Sequence, residues 1–110
     1  MASFTTGPIS SSSDIDTIRI EVLNNTSSRK TSSVRLYDLS FTPKRRIVSQ
    51  SLSLAAYATA TIDVPAATIE RWEAQVTAPS TSVRLWAGGR SGGRNLAGNT
   101  IINSEWIQYE

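Results

Sequence analysis

Nine carboxylates, Asp14, Asp16, Glu21, Asp38, Asp63, Glu70, Glu73, Glu105 and Glu110, are the side chains best placed for acid–base chemistry in this chain, which has no histidine and no cysteine. That absence removes the usual neutral-pH proton shuttle, the thiol nucleophile, the commonest transition-metal ligands and every disulfide. Glycoside hydrolysis needs two carboxyls facing each other across a cleft, about 5–9.5 Å apart. Asp14 and Asp16 would share a strand face, but they border a polar tail and no evident cleft. Calcium could be held by oxygen ligands alone. There is no D-x-D-x-D-G loop, and Asn24, Asn25, Asn95 and Asn99 suit turns, where Asn tolerates a left-handed backbone. No catalytic, cofactor-binding or metal-ligating residue is therefore assigned. The chain reads as one that binds or assembles, not as an enzyme.

Two basic strings could meet a partner. In Gly88-Gly89-Arg90-Ser91-Gly92-Gly93-Arg94, backbone N–H groups could form an anion nest to which Arg90 and Arg94 add charge. The string lacks Walker spacing and the interleaved aromatics of RNA-binding segments, and a long flexible hairpin tip over Gly88–Asn99 has the same composition. The hairpin is the preferred reading. Lys44-Arg45-Arg46, after Pro43, is a compact patch that could steer an acidic partner or a neighbouring copy; it also suits a solvated loop. Net charge is only +2, so no nucleic-acid partner is expected.

The tryptophans divide by phase. Trp72 alternates with Ala74, Val76 and Ala78 and belongs to a core face. Trp86 is out of phase with Val83 and Leu85. On the last strand Ile102 and Trp106 occupy one face, and Ile101, Ile107 and Tyr109 the other. A strand apolar on both faces needs cover on both, and in a chain this small another subunit can supply it. The expected subunit interface is Phe4, Ile9, Trp86, Ile102, Trp106 and Tyr109.

These residues must be carried by strands. Period-two alternation predicts strands near Ile18–Val22, Ser33–Leu39, Ile47–Leu54, Tyr57–Val64, Glu70–Ala78, Ser82–Ala87 and Thr100–Tyr109, separated by turn clusters such as Asn24–Ser28 and Pro79-Ser80. The expected fold is all-β: one seven- to eight-stranded antiparallel sandwich over 14–110, jelly-roll or immunoglobulin-like. Residues 1–13, with Gly7-Pro8 and the run Ser10–Ser13, are expected as a flexible arm in which Phe4 and Ile9 are apolar plugs. The N-terminus shows neither a basic n-region nor an apolar h-region, and no stretch has the length of a membrane span, so neither a classical signal peptide nor a membrane span is expected.

Val22-Leu23-Asn24, Asp38-Leu39, Gly98-Asn99-Thr100 and Ser104-Glu105-Trp106-Ile107 resemble the V-x-N strand end, D-L strand, late G-N-T and terminal S-E-[LW]-[IV] of small β-proteins of spore-forming Firmicutes. The plan of arm plus sandwich is similar to endospore appendage subunits, which polymerise through N-terminal connectors. The cysteines associated with those connectors have no counterpart here. The resemblance implies a self-assembling structural subunit of an extracellular or spore-surface fibre, a homopolymer that donates its arm to a neighbour and is built without cofactors. Two other readings stand beside it: a carbohydrate- or surface-binding module whose partner is a surface glycan or anchoring protein, and a phage capsid or tail protein.

Overall fold

The computed structural model describes residues 2–80 and 82–110. The strands in chain order are β1 (Ala2–Thr5), β2 (Ile9–Ser10), β3 (Thr17–Asn24), β4 (Lys30–Asp38), β5 (Arg45–Leu54), β6 (Thr59–Pro65), β7 (Arg71–Ala78), β8 (Val83–Ser91), β9 (Arg94–Ile101) and β10 (Ile107–Gln108), with a 3₁₀ turn at Asn103–Glu105. They form two antiparallel sheets. The first has the order β10-β1-β7-β4-β5, with β2 also on β7, and the second β6-β3-β8-β9. Apart from β1–β2, only the β4–β5 and β8–β9 hairpins stay within a sheet. Every other connection crosses to the opposite sheet, which is the winding of a jelly roll.

The alternation read from the sequence fixes which face is buried. On β3, Ile18, Ile20 and Val22 point inward while Arg19 and Glu21 point out. They meet Val34 and Leu36 of β4, Trp72, Ala74 and Val76 of β7, and Leu85 of β8 in one core between the sheets. Asn24 ends β3 fully buried. Its amide donates to the Ser28, Leu54 and Ala55 carbonyls, and its oxygen accepts from the backbone and hydroxyl of Thr26. It thereby satisfies backbone groups that the turn leaves without sheet partners.

Three expectations are corrected. The segment expected as a flexible arm is a strand of the chain's own first sheet. Residues 2–5 pair with Ala78–Gln75, and Ile9 and Ser10 pair with Trp72 and Arg71. Between them Gly7, at φ 68°, sits in a bulge that inserts one extra residue. The bulge flips the side-chain phase, so Phe4 and Ile9, an odd number apart, both pack on the core.

The expected flexible loop over 88–99 is mostly sheet. Strand β8 runs on through Ser91, and only Gly92 and Gly93, at φ 56° and 79°, make the turn into β9. Two adjacent positive φ values suit the tight turn that matches strand twist.

The last strand, expected to be apolar on both faces, is two pieces on different sheets. Glu105 accepts the Ile102 N–H at 3.0 Å, and Asn103 accepts the Leu85 N–H at 2.8 Å. These bonds hold the 3₁₀ turn that carries the chain from β9 across to β10. Trp106 therefore enters the chain's own core, where it is 7 % exposed, and needs no second subunit to cover it.

Candidate assembly site

The N-terminal strand lies between β7 and β10. On one side it follows β7 over its full length, from Ala2 opposite Ala78 to the Ser11 N–H donating to the Glu70 carbonyl at 2.8 Å. At the bulge Thr6 continues the ladder: its N–H donates to the Ala74 carbonyl, and its hydroxyl oxygen accepts the Ala74 N–H. On the other side Phe4 and Thr5 pair with Gln108 and Ile107. Main-chain bonds thus set the register, and Phe4 and Ile9 fill the core-facing positions.

Side chains latch the outer face. Glu73 on β7 accepts three hydrogen bonds: from the Thr5 hydroxyl at 2.5 Å, from Lys44 Nζ at 2.6 Å and from Gln75 Nε2 at 3.2 Å. Gln75 in turn accepts from the Tyr109 hydroxyl at 2.9 Å. Burial pushes the Glu73 carboxyl up, but these donors and the Lys44 charge outweigh it and hold the group below the ordinary carboxylate range. Lys44 also lies 4.4 Å from the Tyr37 ring centre. The latch therefore joins the N-terminal strand, β7, the strand at the C-terminal end and the basic loop.

A turn over 12–15 links this strand to the body. The Ile15 N–H donates to the Ser12 carbonyl, and Ser13 and Asp14 are exposed. Asn99, 5 % exposed, clamps the near end of the turn by accepting the Ser12 N–H and donating to the Ser10 carbonyl, both at 3.0 Å. Release of the strand requires that these bonds, the Thr5–Glu73 bond and the β7 and β10 ladders open and that Phe4 and Ile9 leave the core.

The sequence-selected residues separate on this frame. Phe4 and Ile9 are half-buried against the chain's own core, and Trp106 is inside it. Ile102 and Tyr109 are exposed, Ile107 with them, and Trp86 is half-buried on the outer face of the second sheet. The basic residues divide between sheets. Lys44 is in the latch, Arg45 stacks 5.1 Å from the Phe41 ring centre, and Arg46 is exposed. On the other sheet, Arg90 donates to Asn95 at 2.7 Å and to the Gly93 carbonyl, and Arg94 is exposed. The glycine turn already holds an anion of the chain's own: the Gly92 N–H donates to Asp16 Oδ2 at 2.8 Å, and this bond is the chief cause holding the Asp16 carboxyl below its usual range. Arg45 and Arg46 open the edge strand β5, where charge discourages indiscriminate edge pairing.

The sequence does not single out Thr5, Glu73 or Asn99 as residues that fasten the N-terminal strand. Glu73 occupies an ordinary outward position in the alternation of β7, and nothing near it in the chain announces Thr5 or Lys44. Asn99 reads as a turn residue because it follows Gly98. Among the described residues no helix is long and apolar enough to cross a membrane, and no three carboxylates gather as a metal site. Comparison with family models, curated proteins and solved structures gives no match to this chain.

Proposed function

We propose that this chain is a self-assembling structural subunit, joined to its neighbours by exchange of the N-terminal strand, residues 2–10. One observation carries the reading: this strand fills a slot between β7 and β10 and is tied to the body by one short turn that ends at the buried Ile15. Its ladder with β7, its apolar plugs and the Thr5–Glu73 bond are the same whether the strand belongs to this chain or to the next. Exchange of an identical element creates a subunit contact at low cost, and a head-to-tail exchange that does not close on itself grows a fibre. The stretch 11–14, which precedes the buried Ile15, reaches about 14 Å when extended. The smallest dimension of the molecule is 22 Å, so exchanged neighbours would sit in direct succession. With the resemblance to proteins of spore formers, the fibre belongs on an extracellular or spore surface.

The absence of native cysteine makes a direct test simple. Ser3 and Thr77 are opposed on β1 and β7. They form a non-hydrogen-bonded pair, whose close Cα spacing suits a disulfide. The double variant Ser3→Cys/Thr77→Cys is oxidised after concentration and run on a non-reducing gel, with electron microscopy alongside. Exchange yields a ladder of covalent oligomers and regular fibres. A single cross-linked monomer band, with or without particles in the microscope, overturns the proposal.

A further inference from the structure

A groove of about 240 Å³ opens on the outer face of the second sheet, remote from the N-terminal strand, and is lined by Glu21, Leu23, Thr59, Arg84, Leu85 and Trp86. Cross-strand register builds it: Glu21 lies opposite Trp86 and Thr61, and Leu23 opposite Arg84 and Thr59. Trp86 is held in place by a glycine. A Cβ at Gly88 would lie 2.7 Å from its Cη2 and 3.0 Å from its Cζ2, so the indole extends over bare backbone along the strand. The ring is half-buried there, which makes it a fixed aromatic surface at the wall of the groove.

The polar groups around the ring have little to do within the chain. Among the described residues, Arg84 and Thr59 make no side-chain hydrogen bond or ion pair. Glu21 has only a 3.9 Å approach to Arg19, whose guanidinium is bound to Asp63 at 2.8 and 3.1 Å. An acceptor carboxylate, a five-donor guanidinium and a hydroxyl thus converge beside an aromatic ring and keep their hydrogen-bonding capacity.

We infer that this groove binds one neutral pyranose unit of a glycan. A pyranose presents an apolar C–H face suited to an indole, and hydroxyls that donate to Glu21 and accept from Arg84. The paired charges select against the alternatives. Glu21 repels a phosphate or sulfate, and Arg84 repels an ammonium group. A second copy of this chain would have to bury both charges, each at a desolvation cost. The volume lies below the range of about 300–1,000 Å³ typical of drug-sized ligands, which fits one ring and not an extended chain.

Tryptophan fluorescence reads the site, because Trp72 and Trp106 are buried and Trp86 is the one half-exposed indole. The intact chain is titrated to millimolar levels with oligosaccharides of glucose, N-acetylglucosamine, mannose and galactose. Inorganic phosphate and tetramethylammonium serve as charged controls. At least one neutral series should give a saturable change and protect Trp86 from acrylamide quenching. Trp86→Ala, which also removes the reporting indole, is read by titration calorimetry, where it should abolish the heat of binding seen with the parent. Glu21→Gln, which keeps side-chain shape, should weaken binding about tenfold, the loss of one good charged hydrogen bond. No saturable response to any neutral series overturns the inference, as does a response only to the charged controls or one that survives in Glu21→Gln unchanged. Concentration-dependent sedimentation that Trp86→Ala removes would make the groove a contact between copies and would also overturn it. Strand exchange is scored separately by the disulfide ladder, so either proposal can fail alone.

Discussion

The hydroxyl of Thr5 donates to the carboxylate of Glu73, a residue 68 positions further along the chain. Through this bond the outer face of the N-terminal strand is fastened to β7, and Lys44 fastens the basic loop to the same carboxylate. Glu73→Ala should therefore loosen two elements at once. Hydrogen bonds to a charged group contribute about 1.5–3 kcal/mol, and the lower end applies because Lys44 is 41 % exposed. The lowered urea midpoint should be accompanied by faster amide exchange at Phe4 and Thr6, with the centre of β3 unchanged.

The same carboxylate gives stability a pH dependence. Burial works to raise the Glu73 pKa, but its hydrogen bonds and Lys44 bring it below the ordinary 4.5. The unfolded chain therefore takes up this proton at a higher pH than the folded one. The stabilising contribution is complete above the unfolded value and is lost as pH falls through the lower folded value. Urea midpoints should stay level from neutral pH to about 5 and then decline. Glu73→Gln should decline less; identical curves would remove Glu73 as the cause. Asp16 and Asp63, also held low, titrate in both proteins and cancel from the comparison.

Asn99→Ala should act on the turn. It frees the Ser12 N–H and the Ser10 carbonyl, and an unmet buried polar group costs about 1–3 kcal/mol. If strands exchange, this variant should form the covalent ladder faster than the parent, because the clamp opposes opening. A slower ladder would mean that Asn99 orders the turn in the exchanged state as well.

Two glycines should resist change to Ala for different reasons, which substitution by Asn separates. At Gly89 a Cβ would meet Ile15 Cδ1 at 2.8 Å and Asn99 Oδ1 at 2.9 Å. Overpacking of this kind costs about 1–3 kcal/mol and would also displace the clamp. At Gly93 nothing lies within 4 Å, so only the φ of 79° resists substitution, worth about 1–2 kcal/mol for a side chain in the left-handed region. Gly93→Asn should recover most of that loss, whereas Gly89→Asn should not. Thermal melts of the four variants test the distinction.

These contrasts show what could be read from the string of residues. Ile18-Arg19-Ile20-Glu21-Val22 and Trp72 through Ala78 were legible because a half-buried strand must alternate, so the two-sheet core followed directly. The place of Phe4 and Ile9 was not: their pairing is with residues near position 75, and the Gly7 bulge breaks the phase that would have shown them on one face. Gly88 and Gly89 read as flexibility, yet each is required by a neighbour, Trp86 in one case and Ile15 with Asn99 in the other. Trp106 misled because a single 3₁₀ turn, set by Asn103 and Glu105, ends the strand before it and turns it into the core.

The slot between β7 and β10 also sets an order of events on the ribosome. Ala2–Thr5 emerge early, but the two strands that enclose them are encoded near position 75 and at 107–108. Until β7 is made the strand lacks the partner that sets its register, and β10, the other wall of its slot, comes later still. Contacts of such sequence separation form slowly. In that interval an unfilled slot and a free strand coexist on each new chain, the state from which the proposed exchange between copies would start.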